Sequence, residues 1–283
     1  KKEINEIAKK HDIPSDLKLV DKYSKIKSST NCKNDDCLKN HLQNKEDIQL
    51  TRPVKPKEWN KNPNEWLSSV DIENVLNQYK NQYPNFEFYG PSPIDFYYKE
   101  SSNDPCLMPE LCEFNITKLL KEGKTKIGIV FNTDPHYKSG QHWISSFLDL
   151  EKGHLYFFDS NGINSQHEDG SGIKEYSGGN LPSTYDLIPK LLLHIKKQGN
   201  KMNDLNKYKI FYNTRRHQRE DSECGMYSIF FIVSMLKGTS FEEFNKESIS
   251  DKDVFEFRNK FFVNTDKKHT NSKNNLLTGG NLN

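Results

Sequence analysis

The stretch "HWISSFLDLEKGHLYFFDSNG", His142 to Gly162, decides the architecture. It holds two apolar, aromatic-rich runs, "HWISSFLDL" (142–150) and "HLYFFDS" (154–160), separated by the turn-like Glu-Lys-Gly. Runs of that kind around a short Gly-containing turn read as a β-hairpin. A turn near Lys152 makes antiparallel pairing place residues 160–162 opposite residue 142. Asp159 and Asn161 therefore come back beside His142. An imidazole with a carboxylate and an amide returned to it is a candidate base with a candidate orienter.

Outward from the hairpin, "TKIGIVFNTD" (125–134) is a dense apolar run and reads as a buried strand, as does "YKIFYNT" (208–214). "LPSTYDLIPKLLLHIKKQG" reads as a helix that Pro189 kinks or restarts and Gly199 stops. "EWLSSVDIENVLNQYKNQYP" spaces Trp66, Leu67, Val70, Val75, Leu76 and Tyr79 as on one amphipathic helix, with Pro84 past its end. "DKDVFEFRNKFF" gives a last helix with Val254, Phe257 and Phe261 on one face. The Gly-, Ser- and Asn-rich segment 161–180 reads as an exposed, mobile loop. Strands in the middle with helices on both sides predict an α+β domain, a central mixed β-sheet flanked by helices. Texture divides the chain into a mainly helical N-terminal arm (1–85), a core (86–263) and a polar, disordered tail (264–283).

The bulk properties exclude several classes. The 283 residues carry 41 Lys and Arg against 39 Asp and Glu, a net charge of +2, which makes no case for bulk nucleic-acid binding. Hydrophobic content is 33% and mean hydropathy −0.89, and no run reaches a membrane span. Five cysteines, an odd count, do not read as a disulfide framework, so a reducing, intracellular compartment is expected and Cys106 and Cys112 are read as free thiols. Cys32, Cys37 and His41 could supply three zinc ligands, but no fourth has convincing spacing. No metal or cofactor is expected.

Cys224 lies at the seam of "QREDSECGMYSIFFIVSML" (218–236), where a polar loop becomes an apolar, buried helix. A helix N-terminus favours the thiolate through its dipole and free N–H groups. Gly225 follows, leaving room for an approaching carbonyl. Gln218, in the loop entering the helix, could join the Cys224 backbone N–H as donor to an oxyanion. A thiol, an imidazole and an orienting acid are the parts of a nucleophilic hydrolase.

These motifs, with "PIDF", "HW", "FDSNG", "RHQ-x5-CG" and the closing "SFEEF…FRNKFF" in this order, resemble the cysteine peptidases that include SUMO-specific proteases and the adenovirus maturation protease. The resemblance is nearest to the versions in large DNA viruses and covers roughly Phe86 to Val263. It implies a papain-like core with the nucleophile at a helix N-terminus. It makes His142 the base, Asp159 its orienter, Cys224 the nucleophile and Gln218 the oxyanion donor, with Asn161 an alternative orienter. Trp143 would help wall a narrow tunnel that accepts two glycines before the scissile bond.

The implied activity is a cysteine endopeptidase cutting Gly-Gly-Xaa sites in viral structural polyproteins, located in host cytoplasm, virus factory and virion. The alternatives are deconjugation of ubiquitin-like modifiers and, from another class, acyl transfer by the same triad. The basic cluster "TRRHQR" (214–219) offers a weak case for a nucleic-acid or peptide activator. "SGGN" (177–180) and "TGGN" (278–281) are candidate self-substrates.

Overall fold

The computed structural model describes residues 8–9, 11–17, 19–30, 52–163, 170–177, 187–202 and 208–263. The tail, the Cys32–Cys37–His41 group and both Gly-Gly pairs lie outside these residues.

Ahead of the core lie helix α1 (Leu19–Thr30), a 3-10 turn (Lys57–Asn60) and α2 (Ser69–Gln82). The core runs β1 (Phe86–Pro93), α3 (Pro109–Cys112), α4 (Ile116–Lys121), β2 (Lys126–Asn132), β3 (Trp143–Asp149), β4 (His154–Phe158), β5 (Ile173–Tyr176), α5 (Leu187–Met202), β6 (Lys209–Asn213), α6 (Cys224–Leu236), α7 (Phe241–Asn245), α8 (Asp251–Glu256) and α9 (Arg258–Phe261). The strands form one six-stranded sheet in the order β1-β2-β3-β4-β6-β5. β2–β3, β3–β4 and β5–β6 pair antiparallel, and β1–β2 and β4–β6 parallel. This is the mixed sheet of the expected α+β fold.

The expected hairpin is β3–β4, paired from Ser145↔Phe158 to Asp149↔His154. Alternate residues of each strand enter different cores. Phe147 and Phe158 face the layer with α6 and α2, while Ile144, Leu148, Leu155 and Phe157 face the layer with α5. Both faces are covered, which is why β2 and β3 read as near-continuous apolar runs rather than alternating ones.

Residues assigned by composition to the arm share the first core through Trp59, Leu67, Ile72, Val75 and Leu76. A bridge pairs Val54 with Val263, and Trp59 meets Phe262 edge-on at 4.9 Å.

Several local expectations need correction. α2 starts at Ser69, because Ser68 and Asp71 form a capping box, so Trp66 and Leu67 precede the helix. Gly199 lies inside α5: a Cβ there would stand 2.4 Å from the Tyr208 ring, so close packing explains this glycine. The loop 161–180 contains β5, which finds a ladder partner in β6. The final helix breaks into α8 and α9 at Phe257. Cys106 and Cys112 form a disulfide with a Cα–Cα distance of 6.7 Å, because the one-turn α3 folds the intervening loop back on itself.

Candidate active site

Four elements end at one place. α6 begins with Cys224, which is buried and is the free cysteine among the described residues. Its N-cap, Glu223, makes no side-chain cap bond, because its carboxylate is turned away to Arg258. The helix end is thus left without a side chain competing for its first N–H groups.

His142 sits just before β3, and the hairpin register, extended from Ser145↔Phe158, puts it opposite Asn161. Its Nε2 lies 2.8 Å from Asp159 Oδ1 and 3.2 Å from Asn161 Nδ2. Burial of the ring opposes protonation. Hydrogen bonds and charge from Asp159 and Cys224 outweigh it and push the imidazole up to about 10. A carboxylate and a thiol therefore both act on the His142 ring.

Asp159 is buried, and its Oδ1 also accepts the Asn161 backbone N–H at 2.8 Å. Gln218 is buried too. Its Oε1 accepts from Ser160 Oγ at 2.7 Å, its Nε2 donates to Glu220 O at 2.6 Å, and its backbone N–H donates to Ser160 O at 2.9 Å. The Glu220 carbonyl, which can only accept, fixes which end of the amide is the donor. The turn that carries the acid thus also seats the glutamine. His217, beside it, has its Nδ1 accepting from Ile249 N and its Nε2 donating to Asn245 Oδ1. Burial lowers this ring to about 4, with the Asn245 bond opposing and Arg215 reinforcing the shift, so it stays neutral.

Gly225 is also bounded by the protein's own side chains. A Cβ there would stand 3.1 Å from Leu67 Cβ and 3.2 Å from Trp143 Cδ1, a tight fit to both. Trp143 is held by Nε1 donating to Leu67 O at 3.0 Å. With Trp66, Leu67, Pro91, Asn132 and Gly140 it lines a groove of about 500 Å³.

Trp66 is 42% exposed in that groove, and sequence reasoning had placed it on a helix face. The Ser68–Asp71 capping box was the signal that could have freed it. No metal-binding group of three His, Cys, Asp or Glu occurs among the described residues.

Residues 117–272 match the Ulp1 protease family, C-terminal catalytic domain. The chain is 33% identical over 204 residues to a putative thiol protease of Acanthamoeba polyphaga mimivirus, across 72% of this chain and 59% of that protein. It therefore spans about three-fifths of that relative's length. It is 28% identical over 203 residues to a SUMO-1 cysteine protease of African swine fever virus, across 69% of this chain and 67% of the other.

The crystal structure of the African swine fever virus protease shares the fold, with a TM-score of 0.55 at 20% identity over 89% of this chain and 94% of that one. Sequence match and architecture agree: the chain belongs to the Ulp1 protease family.

Proposed function

We propose that the chain is a cysteine endopeptidase that cleaves after Gly-Gly and matures viral structural polyproteins. The observation that carries the reading is His142, held by Asp159 on Nε2 and raised in pKa by Asp159 and by the Cys224 thiol, which lies at a buried helix N-terminus. In the proposed reaction the Cys224 thiolate attacks the carbonyl of the second glycine. The Cys224 backbone N–H and the second hydrogen of Gln218 Nε2 stabilise the oxyanion. The imidazolium, through Nδ1, gives its proton to the departing amine and a thioester remains. His142 then takes a proton from water, the hydroxide displaces the thiolate, and the ion pair is restored. Asp159 holds the ring and stays ionised.

The Gly-Gly preference is supported by the family resemblance and by the groove that Trp66 and Trp143 help to line. The viral role is supported by the mimivirus and African swine fever virus relatives. A second reading, deconjugation of a ubiquitin-like modifier, is favoured by the Ulp1 family match and by the name of the African swine fever virus relative.

One experiment separates the readings. The full chain and Cys224→Ala are offered a Gly-Gly-Xaa linker peptide and a folded ubiquitin-like fusion side by side. The proposal expects the linker to be cut and Cys224→Ala to be inactive yet folded. Cleavage of the fusion alone gives the second reading, and turnover by Cys224→Ala overturns the thiol mechanism.

A further inference from the structure

Asp159 stands just past the end of β4, where the β4–β6 ladder has already stopped at Phe157↔Tyr212. Nothing in ordinary strand pairing fixes it there. One side chain takes over. Asn213, the last residue of β6 and fully buried, accepts the Asp159 backbone N–H on Oδ1 at 2.9 Å. Its Nδ2 donates to Asp159 O at 2.7 Å and to Arg215 O at 2.9 Å. Both amide hydrogens and the oxygen are used, and a flipped amide would set donor against donor and acceptor against acceptor.

The turn is also pressed against the segment that follows β6. Gly162, at φ +75°, has room for no Cβ, which would stand 2.6 Å from Thr214 O and 2.9 Å from Arg216 N. That segment runs on to Gln218.

We propose that Asn213 is a positioning residue: it extends the sheet by one side-chain rung so that the Asp159 carboxylate is aimed at His142. This role rests on the cysteine-protease reading of the site. A carboxylate at a loose strand end would swing, and misplacement of about 1 Å costs on the order of a hundredfold in rate.

Three full-length variants test it. Asn213→Ala removes the rung. Asn213→Asp keeps the size and the acceptor but sets a carboxylate oxygen against two carbonyl oxygens. Ile210→Val, buried in the same strand and outside the site, is the control for lost stability.

Asn213→Ala should lower kcat on a Gly-Gly peptide about a hundredfold with KM nearly unchanged, and Asn213→Asp should be at least as impaired. His142 is then titrated by NMR in a Cys224→Ala background, at a temperature where each variant is folded. Asp159 and Cys224 are the groups acting on this ring. Asn213→Ala should shift His142 down by about one pH unit or more, while Ile210→Val leaves it in place.

An unmoved His142 titration in folded Asn213→Ala overturns the proposal, as does a kcat loss no larger than that of Ile210→Val. The titration needs no turnover. If the wild type cuts none of the substrates, the protease reading fails while the NMR result still decides the role of Asn213.

Discussion

Asp159 and Asn161 converge on one nitrogen, Nε2 of His142, and the two contacts ask for opposite protonation of it. The carboxylate needs an N–H to accept, whereas the Asn161 amide nitrogen needs a lone pair. The carboxylate wins, because a charge-assisted bond at 2.8 Å is roughly twice as strong as a neutral one. Asn161 serves the site instead through its backbone N–H, which donates to Asp159 Oδ1 and survives truncation of the side chain.

Asp159→Ala is therefore expected to lower kcat by about 10⁴, the order seen when an orienting carboxylate is removed. Asn161→Ala should cost less than tenfold. Steady-state kinetics on a Gly-Gly peptide checks the ranking, and the reverse order would make the asparagine the orienter.

Gly225→Ala sets two effects against each other. Ala is favoured over Gly in a helix by about 1 kcal/mol. The added Cβ would meet Leu67 and Trp143 at 3.1 and 3.2 Å, and Trp143 is anchored by its bond to Leu67 O. Overpacking of a fixed neighbour costs about 1–3 kcal/mol. A net loss of thermal stability is expected, with a rise in KM as Trp143 is pushed into the groove. An increase in Tm with unchanged kinetics would show that the two side chains yield freely.

The parts legible in the sequence were those whose signals are local. The β3–β4 hairpin announces itself through two apolar runs and a three-residue turn, and it alone carries His142 to Asp159. Cys224 shows through the sharp change from polar loop to apolar helix. The site's supports were not legible, because their partners are distant in sequence. Asn213 acts on a residue 54 positions away, and Arg258 on carbonyls 193 and 195 positions away. Glycine misled at Gly199, which is set by Tyr208, a neighbour that only the fold brings near. β5 was hidden because an edge strand of four residues draws its pairing from β6 more than from its own composition.

His217 makes stability fall in acid. Its folded-state value is lowered from 6.5 to about 4 by burial. The unfolded chain therefore takes up a proton near pH 6.5 that the folded one refuses until about pH 4. Stability from this group is complete above 6.5 and drains away as pH falls to about 4, a loss of about 3 kcal/mol. Protonating Nδ1 would also break the bond from Ile249 N. Urea unfolding of the wild type and His217→Gln across this range measures the effect. The variant should start less stable at neutral pH and show the flatter acid limb, and parallel curves would refute the assignment.

Arg258 fastens the segment before Trp66 to the nucleophile's helix. Its guanidinium meets the buried Glu223 carboxylate through Nε at 3.0 Å and Nη2 at 2.7 Å, and Nη1 donates to the carbonyls of Pro63 and Glu65. The fork also lies over the Trp59 ring at 4.3 Å. Arg258→Met leaves a carboxylate buried and unpaired next to Cys224, and removal of one partner of such a pair costs about 3–5 kcal/mol. Arg258→Lys should recover little, because an ammonium cannot span both carboxylate oxygens and two carbonyls at once. Adding Glu223→Gln to Arg258→Met removes the stranded charge. The double variant should thus be more stable than Arg258→Met alone, the opposite of two independent losses adding. Chemical denaturation of the wild type, Arg258→Met, Glu223→Gln and the double variant closes the cycle. A double variant less stable than Arg258→Met would mean that the arginine stabilises the protein chiefly through the carbonyls and Trp59, with the ion pair contributing little.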